Sequence, residues 1–222
     1  MRIRHLGHSC VEILGANHIL IDPDYTHAPE PNIEFILVSH AHMDHIARIA
    51  ELPSGNILAS ADVCEIAVNL GIDKDRVYPV VAGNKVRNIQ ILPGFSMVND
   101  PVYKFFYLLF RWKLPEPGGT PLSFLIEDGG TTLLHVGDAH AVDLDLTPDV
   151  LCLPWRTTPF GPNRYKNTVL KMVEQLAPKY LLPIHYDLPG TEALPSDLIS
   201  RVDQEVLEED KWHYFNQGRK VS

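Results

Sequence analysis

Apolar and polar positions follow two rhythms along this chain, one with the period of a strand and one with that of a helix. Residues 3–14 and 19–21 read as two strands, with Gly15, Ala16 and Asn17 forming the turn between them. The apolar run 33–38 predicts a buried strand, and 46–52 has helical spacing that Pro53, Ser54 and Gly55 stop. Next come a short strand over 56–59, a helix over 61–70 closed by Gly71, and a strand over 77–81. A strand over 88–92 precedes a hairpin of 123–126 and 131–136, turning at Glu127, Asp128, Gly129 and Gly130. Residues 150–153 form another buried strand, 168–176 a helix ending before Pro178, and 180–184 a strand. A helix over 195–207 and an edge-like segment over 212–215 complete the pattern. Strands and helices in alternation indicate a layered α/β protein.

Three stretches break the rhythm. Residues 24–32 hold several prolines and His27, and read as an exposed loop. Residues 101–115 form an aromatic insertion with Phe105, Phe106, Phe110 and Trp112. It suits a core helix, a lid over an apolar substrate, a dimer contact that would make a homo-oligomer, or a helix on a membrane surface. Residues 115–121 lack the Lys-Ser/Thr ending of a phosphate loop despite Gly118 and Gly119.

Composition narrows the class. A chain of 222 residues is long enough for one domain spanning 1–222 with a full core. The formal net charge of -9 argues against a nucleic-acid binder, which needs clustered Lys and Arg. Cys10, Cys64 and Cys152 are too scattered for a disulfide framework or a thiolate zinc site and suggest a reducing compartment. No apolar run approaches the roughly 20 residues of a membrane span, so a soluble cytoplasmic protein acting on a small molecule is expected.

The chemistry concentrates at the end of the 33–38 strand. His40-Ala41-His42-Met43-Asp44-His45 packs three imidazoles and a carboxylate into six positions, at the spacing of metal ligands. Asp138 and His185 each follow another predicted strand, and strand ends meet at one sheet edge in layered α/β proteins. Asp22, also at a strand end, can orient a ligand histidine, and His8 beside Gly7 can approach the same edge. His5, His18 and His213 read as structural, and His135 as supporting. Arg156, Thr157, Thr158, Arg164 and Lys166 form a cationic stretch in which Arg156 and Arg164 suit an anionic substrate.

The six-residue motif, Val136-Gly137-Asp138 and Pro183-Ile184-His185-Tyr186 resemble the metal motifs of the metallo-β-lactamase superfamily. Leu6-Gly7-His8-Ser9-Cys10 and Ile21-Asp22-Pro23 resemble more narrowly its small metal-dependent hydrolases related to ascorbate-6-phosphate lactonase. The resemblance implies an αββα sandwich with a metal centre at one edge. His40 and His42 would bind a first ion, Asp44, His45 and His185 a second, and Asp138 would bridge them. Where the family pattern places a third histidine for the first ion, this chain has Phe95. One or two zinc ions are therefore expected, with manganese or iron as other choices. His27, Asp100 and His140 are the candidates to complete the first site. The implied activity is metal-dependent hydrolysis of an ester, lactone, thioester or phosphoester, with Asp44 orienting water. The alternative is a binding or regulatory protein on the same fold. A di-iron redox role is disfavoured by His42, where that chemistry goes with a glutamate.

Overall fold

The computed structural model describes residues 1–95, 105, 108–109, 118–157 and 162–221. Two sheets account for its strands. The first contains β1 (Arg2–Gly7), β2 (Cys10–Leu14), β3 (His18–Ile21), β4 (Phe35–Leu37), β5 (Asn56–Ala59) and β6 (Val77–Pro79), joined by β14 (His213–Asn216) and β15 (Arg219–Val221). Its order is β15-β14-β1-β2-β3-β4-β5-β6. The second runs β13-β12-β11-β10-β9-β8-β7, from β7 (Lys85–Val86), β8 (Ile89–Pro93), β9 (Leu122–Asp128), β10 (Thr131–His135), β11 (Val150–Pro154), β12 (Tyr180–Ile184) and β13 (Glu205–Val206).

Strand parity builds the layers, because successive side chains leave a strand on opposite faces. Phe35 and Leu37 of β4 point between the sheets and join Ile21, Leu58, Phe124, Leu133 and Ile184 in the central core. Their neighbours Ile36 and Val38 point outward, onto Val63, Cys64 and Ala67 of helix α2 (Ala61–Asn69). On the second sheet Leu134, Leu151 and Leu181 turn outward onto Tyr165, Val169, Met172 and Leu176 of α3 (Pro162–Leu176). Helix, sheet, sheet and helix stack as the expected αββα sandwich. Adjacent strands run parallel from β3 to β6 and from β10 to β13, so the C-terminal ends of β3, β4, β10 and β12 converge at one edge.

Several elements differ from their sequence pattern for identifiable reasons. The helix expected over 46–52 is α1 (Met43–Ile46) followed by a 3-10 turn, Ile49–Glu51. The Asp44 carbonyl accepts from Ser9 Oγ at 2.6 Å and the Arg48 amide donates to Pro23, so the i→i−4 ladder stops there. The helix over 195–207 contracts to α4 (Pro195–Ile199), because the following residues pair with β12 as β13. Residues 212–215 are not an edge, since β14 lies between β1 and β15. The β9–β10 turn places Gly129 and Gly130 at φ of 57° and 70°, the left-handed geometry a tight hairpin needs. Of the aromatic insertion, Phe105, Leu108 and Leu109 are described and exposed, while its remainder and Asp100 lie outside the described residues. No helix among the described residues is long and apolar enough to cross a membrane. The three cysteines are buried and unpaired with one another.

Glu12 is a fully buried carboxylate on β2 that accepts from Arg4 Nη2 at 2.7 Å, His18 Nε2 at 2.9 Å and the Glu30 amide at 2.7 Å. Burial alone would raise its pKa, but these three donors overcome it and leave the group below the usual glutamate range. A depressed carboxylate contributes stability above its unfolded pKa of about 4.3 and loses it as pH falls through the lower folded value. Glu12→Gln is therefore expected to lose about 1–3 kcal/mol at pH 7. The deficit should shrink below about pH 4, as measured by urea unfolding at both pH values.

Candidate metal centre

Two histidines of the His40–His45 motif are aimed by one pair of residues, Ser39 and Asp22. β4 ends at Leu37, and the Ser39 amide then donates to Asp22 Oδ1 at 2.7 Å, tying this turn to the end of β3. Ser39 Oγ gives its single proton to Asp22 Oδ2 at 2.7 Å. That leaves Oγ an acceptor toward His40 Nδ1 at 3.1 Å and His45 Nδ1 at 3.2 Å, and His45 Nδ1 also reaches Asp22 Oδ2 at 2.8 Å. With both Nδ1 atoms acting as donors, the Nε2 atoms of His40 and His45 are left bare and face the centre. Asp22 thus contacts both Ser39 and the His45 ring, a position from which a carboxylate can orient a ligand imidazole. Ser39 does as much, and no sequence signal marks it beyond its place before the motif.

Asp138 follows β10 through Gly137, at φ 56°, where a Cβ would meet Ser39 Oγ at 3.0 Å. Its two oxygens divide between two clusters. Oδ2 lies 3.7 Å from His40 Nε2, which in turn lies 3.0 Å from His42 Nδ1. Oδ1 lies 3.3 Å from His45 Nε2 and 3.1 Å from His185 Nε2. Those two nitrogens are 2.9 Å apart, with Asp44 Oδ2 3.9 Å from His45 Nε2 and 3.6 Å from His185 Nδ1. His40, His42 and Asp138 form one group able to hold a metal ion, and Asp44, His45 and His185 another. These are called here the His40 cluster and the His185 cluster.

The donor set fits a cation. Asp138 Oδ1 and His185 Nδ1 are buried without a hydrogen-bond partner, an expensive state that an ion would relieve. Imidazole nitrogens with two carboxylates are the donors that borderline divalent ions prefer. His185 and Asp22 both hold left-handed backbone, at φ 60° and 50°, and His185 is anchored by its amide donating to the His8 carbonyl at 2.7 Å. Strain of this kind persists where surrounding structure enforces it, often at functional sites. The Gly118 backbone covers the His40 cluster, since a Cβ there would meet His40 Cδ2 and His42 Cδ2, each at 2.9 Å.

The other residues singled out in the sequence fall at varied distances from this centre. His8 sits at its rim, paired through Nδ1 with Asp187 Oδ2 at 3.0 Å. His135 is buried, its pKa lowered to about 4 mainly by burial, with Nε2 facing the Ser9 carbonyl at 3.2 Å. Arg156 is buried and donates to Asp138 Oδ2 at 3.2 Å, whereas Arg164 is exposed near the start of α3. Phe95 packs edge-on against His140, ring centroids 4.9 Å apart, and His140 also meets Tyr165 at 5.3 Å. His27 pairs with Asp210 at 3.4 Å. Neither His140 nor His27 belongs to a ligand group among the described residues.

Residues 2–185 match the model of the β-lactamase superfamily domain. The chain belongs to that superfamily. A relative from Nanoarchaeum equitans, named a metal-dependent hydrolase, is 26% identical over 215 residues and covers 94% of each chain. Another of that name, from Thermococcus onnurineus, is 29% identical over 208 residues, with 84% of this chain and 85% of the relative covered. Among solved structures, the metallo-β-lactamase fold protein YhfI from Bacillus subtilis superposes with a TM-score of 0.69 at 15% identity, over 95% of this chain and 97% of that one. The superfamily model ends at His185, the last ligand candidate, so β13 to β15 lie beyond the matched region. The narrower likeness to ascorbate-6-phosphate lactonase rests on 6–10 and 21–23 alone.

Proposed function

We propose that this protein is a metal-dependent hydrolase whose reaction centre is the pair of histidine clusters joined by Asp138. The observation that carries the reading is that one buried carboxylate touches ligand groups delivered by both sheets. Zinc suits the donor set best, with manganese or iron as alternatives. When bound, such an ion supplies Lewis-acid polarisation and water activation. The chain's own residues do the rest.

Asp44 is the group placed to handle protons. Burial works against its charge, but the imidazoles of His45 and His185 override that and hold it below the usual carboxylate range. It is therefore ionised near neutral pH and accepts from a water or a substrate hydroxyl. Its side chain is partly exposed while Asp138 is closed off, so Asp44 faces the open side. Arg156 is already engaged with Asp138, which leaves Arg164 as the cation exposed to an anionic part of the substrate. Esters, lactones, thioesters and phosphoesters are all compatible with this chemistry. Buried free thiols accord with a cytoplasmic setting.

The test is a panel of lactone, thioester and phosphoester substrates offered to native, chelator-stripped and zinc-restored protein. Stripping should abolish turnover of the accepted class and zinc should restore it. Asp44→Asn should lower kcat by about 10²–10⁴. Turnover that survives both stripping and Asp44→Asn would sink the proposal. The alternative of a binding protein, suggested by Phe95 standing where the family pattern has a histidine, predicts no stripping-sensitive turnover.

A further inference from the structure

Arg156 is a cation buried next to a candidate metal centre, and the hydrolytic chemistry gives it no task. It stands two residues past β11 with about 7% of its surface exposed. Its guanidinium lies 5.6 Å from the centroid of the Tyr165 ring, which helps fix it in place. Its Nη2 pairs with Asp138 Oδ2 at 3.2 Å.

That contact makes the two clusters unequal. In the His40 cluster His42 Nδ1–H can donate to His40 Nε2 across 3.0 Å, and Oδ2 of Asp138 takes the guanidinium. In the His185 cluster Asp138 Oδ1 and His185 Nδ1 are buried without a hydrogen-bond partner. A cation entering the His40 cluster would have to share Oδ2 with a fixed positive charge. With an effective dielectric near 20, a fixed positive charge roughly 6 Å away weakens binding of even a single like charge by about 100-fold, and of a divalent ion by more. A cation entering the His185 cluster meets Oδ1 with the carboxylate between itself and Arg156.

We infer that Arg156 stands in for an ion at the His40 cluster, so that the chain holds a single tight cation on Asp44, His45, His185 and Asp138 Oδ1. The guanidinium supplies the second positive charge that Asp138 faces. This inference rests on the centre being metal-binding, and it goes further by fixing how many ions bind, where, and why.

The experiment is equilibrium dialysis with zinc(II) and absorption titration with cobalt(II) on the full chain. Native protein should hold one tight ion. Arg156→Gln, which keeps an N–H donor for Asp138 but removes the charge, should hold two, the second at least about tenfold tighter than any second binding by native protein. Adding His42→Ala to that variant should return it to one. Arg156→Lys, which keeps a charge, should stay at one, separating charge from simple packing. Two tight ions in native protein, a folded Arg156→Gln that still binds one, or a second ion gained equally by Arg156→Lys would each overturn the inference. Should Arg156→Gln fail to fold, His42→Ala in the native background decides: an unchanged tight ion supports the inference and a lost one defeats it. No ion on native protein at all would defeat the metal reading itself, and this inference with it.

Discussion

Asp138→Ala is expected to remove tight metal binding and to lower kcat/KM by at least about 10³, beyond the roughly 10–100-fold cost of changing a residue that only orients a ligand. Asp138 is the group shared by both clusters, with Oδ1 3.1 Å from His185 Nε2 and Oδ2 3.7 Å from His40 Nε2. Its loss also strands Arg156, which pairs with this carboxylate. Breaking a buried pair by removing one member costs about 3–5 kcal/mol, because the remaining charge is left in a poorly solvating interior. Both outcomes are measurable on one preparation, by metal content per chain and by denaturant unfolding. Asp138→Asn separates them, since it retains an acceptor for Arg156 but not the charge that attracts a cation. It should recover much of the lost stability and little of the lost metal affinity. Unaltered metal content in Asp138→Ala would rule out Asp138 as a ligand.

The readability of this centre in sequence depended on how local each feature is. His40 to His45 is legible because its donors are contiguous, and Asp138 and His185 because each follows an apolar run that stops sharply. The layered architecture is legible for a similar reason, since the parity of Phe35, Ile36, Leu37 and Val38 sets which face is core. Ser39 is not legible, because its function arises from Asp22, 17 positions earlier, and from two rings that a turn brings to its hydroxyl. Arg156 reads in sequence as a cation for an anionic substrate until the fold places Asp138, 18 positions away, against it. Gly118 sits in a stretch without periodicity, and its close approach to His40 and His42 is a property of tertiary packing. Strands as short as Lys85–Val86 and Glu205–Val206 have too few residues to show a period at all.

Asp22→Asn is the second change expected to have a large effect, although Asp22 touches no ion in the proposed centre. Oδ1 accepts from the Ser39 amide and Oδ2 from Ser39 Oγ and His45 Nδ1, so both oxygens serve only as acceptors. An asparagine must turn its NH₂ toward one of those donor groups. Facing the Ser39 amide, it opposes two N–H groups and opens the turn that carries His40. Facing His45, it favours the ring tautomer with the proton on Nε2, which removes the lone pair a metal would use. Either way metal affinity should fall about 10–100-fold, and an unsatisfied buried donor should cost about 1–3 kcal/mol. Asparagine tolerates the left-handed backbone at φ 50°, so this loss reflects lost hydrogen bonding rather than backbone strain. Burial alone would raise the pKa of Asp22, but the His45 imidazole and the Ser39 donors overcome it and hold the carboxyl at about 2. Because that value lies below the unfolded value of about 3.9, its contribution is full above pH 4 and drains away as pH falls toward 2. Metal-free native protein should therefore lose stability faster than Asp22→Asn across that interval. Parallel acid titrations of the two proteins, followed by circular dichroism, would show this, and superimposable curves would remove Asp22 from the centre's electrostatics.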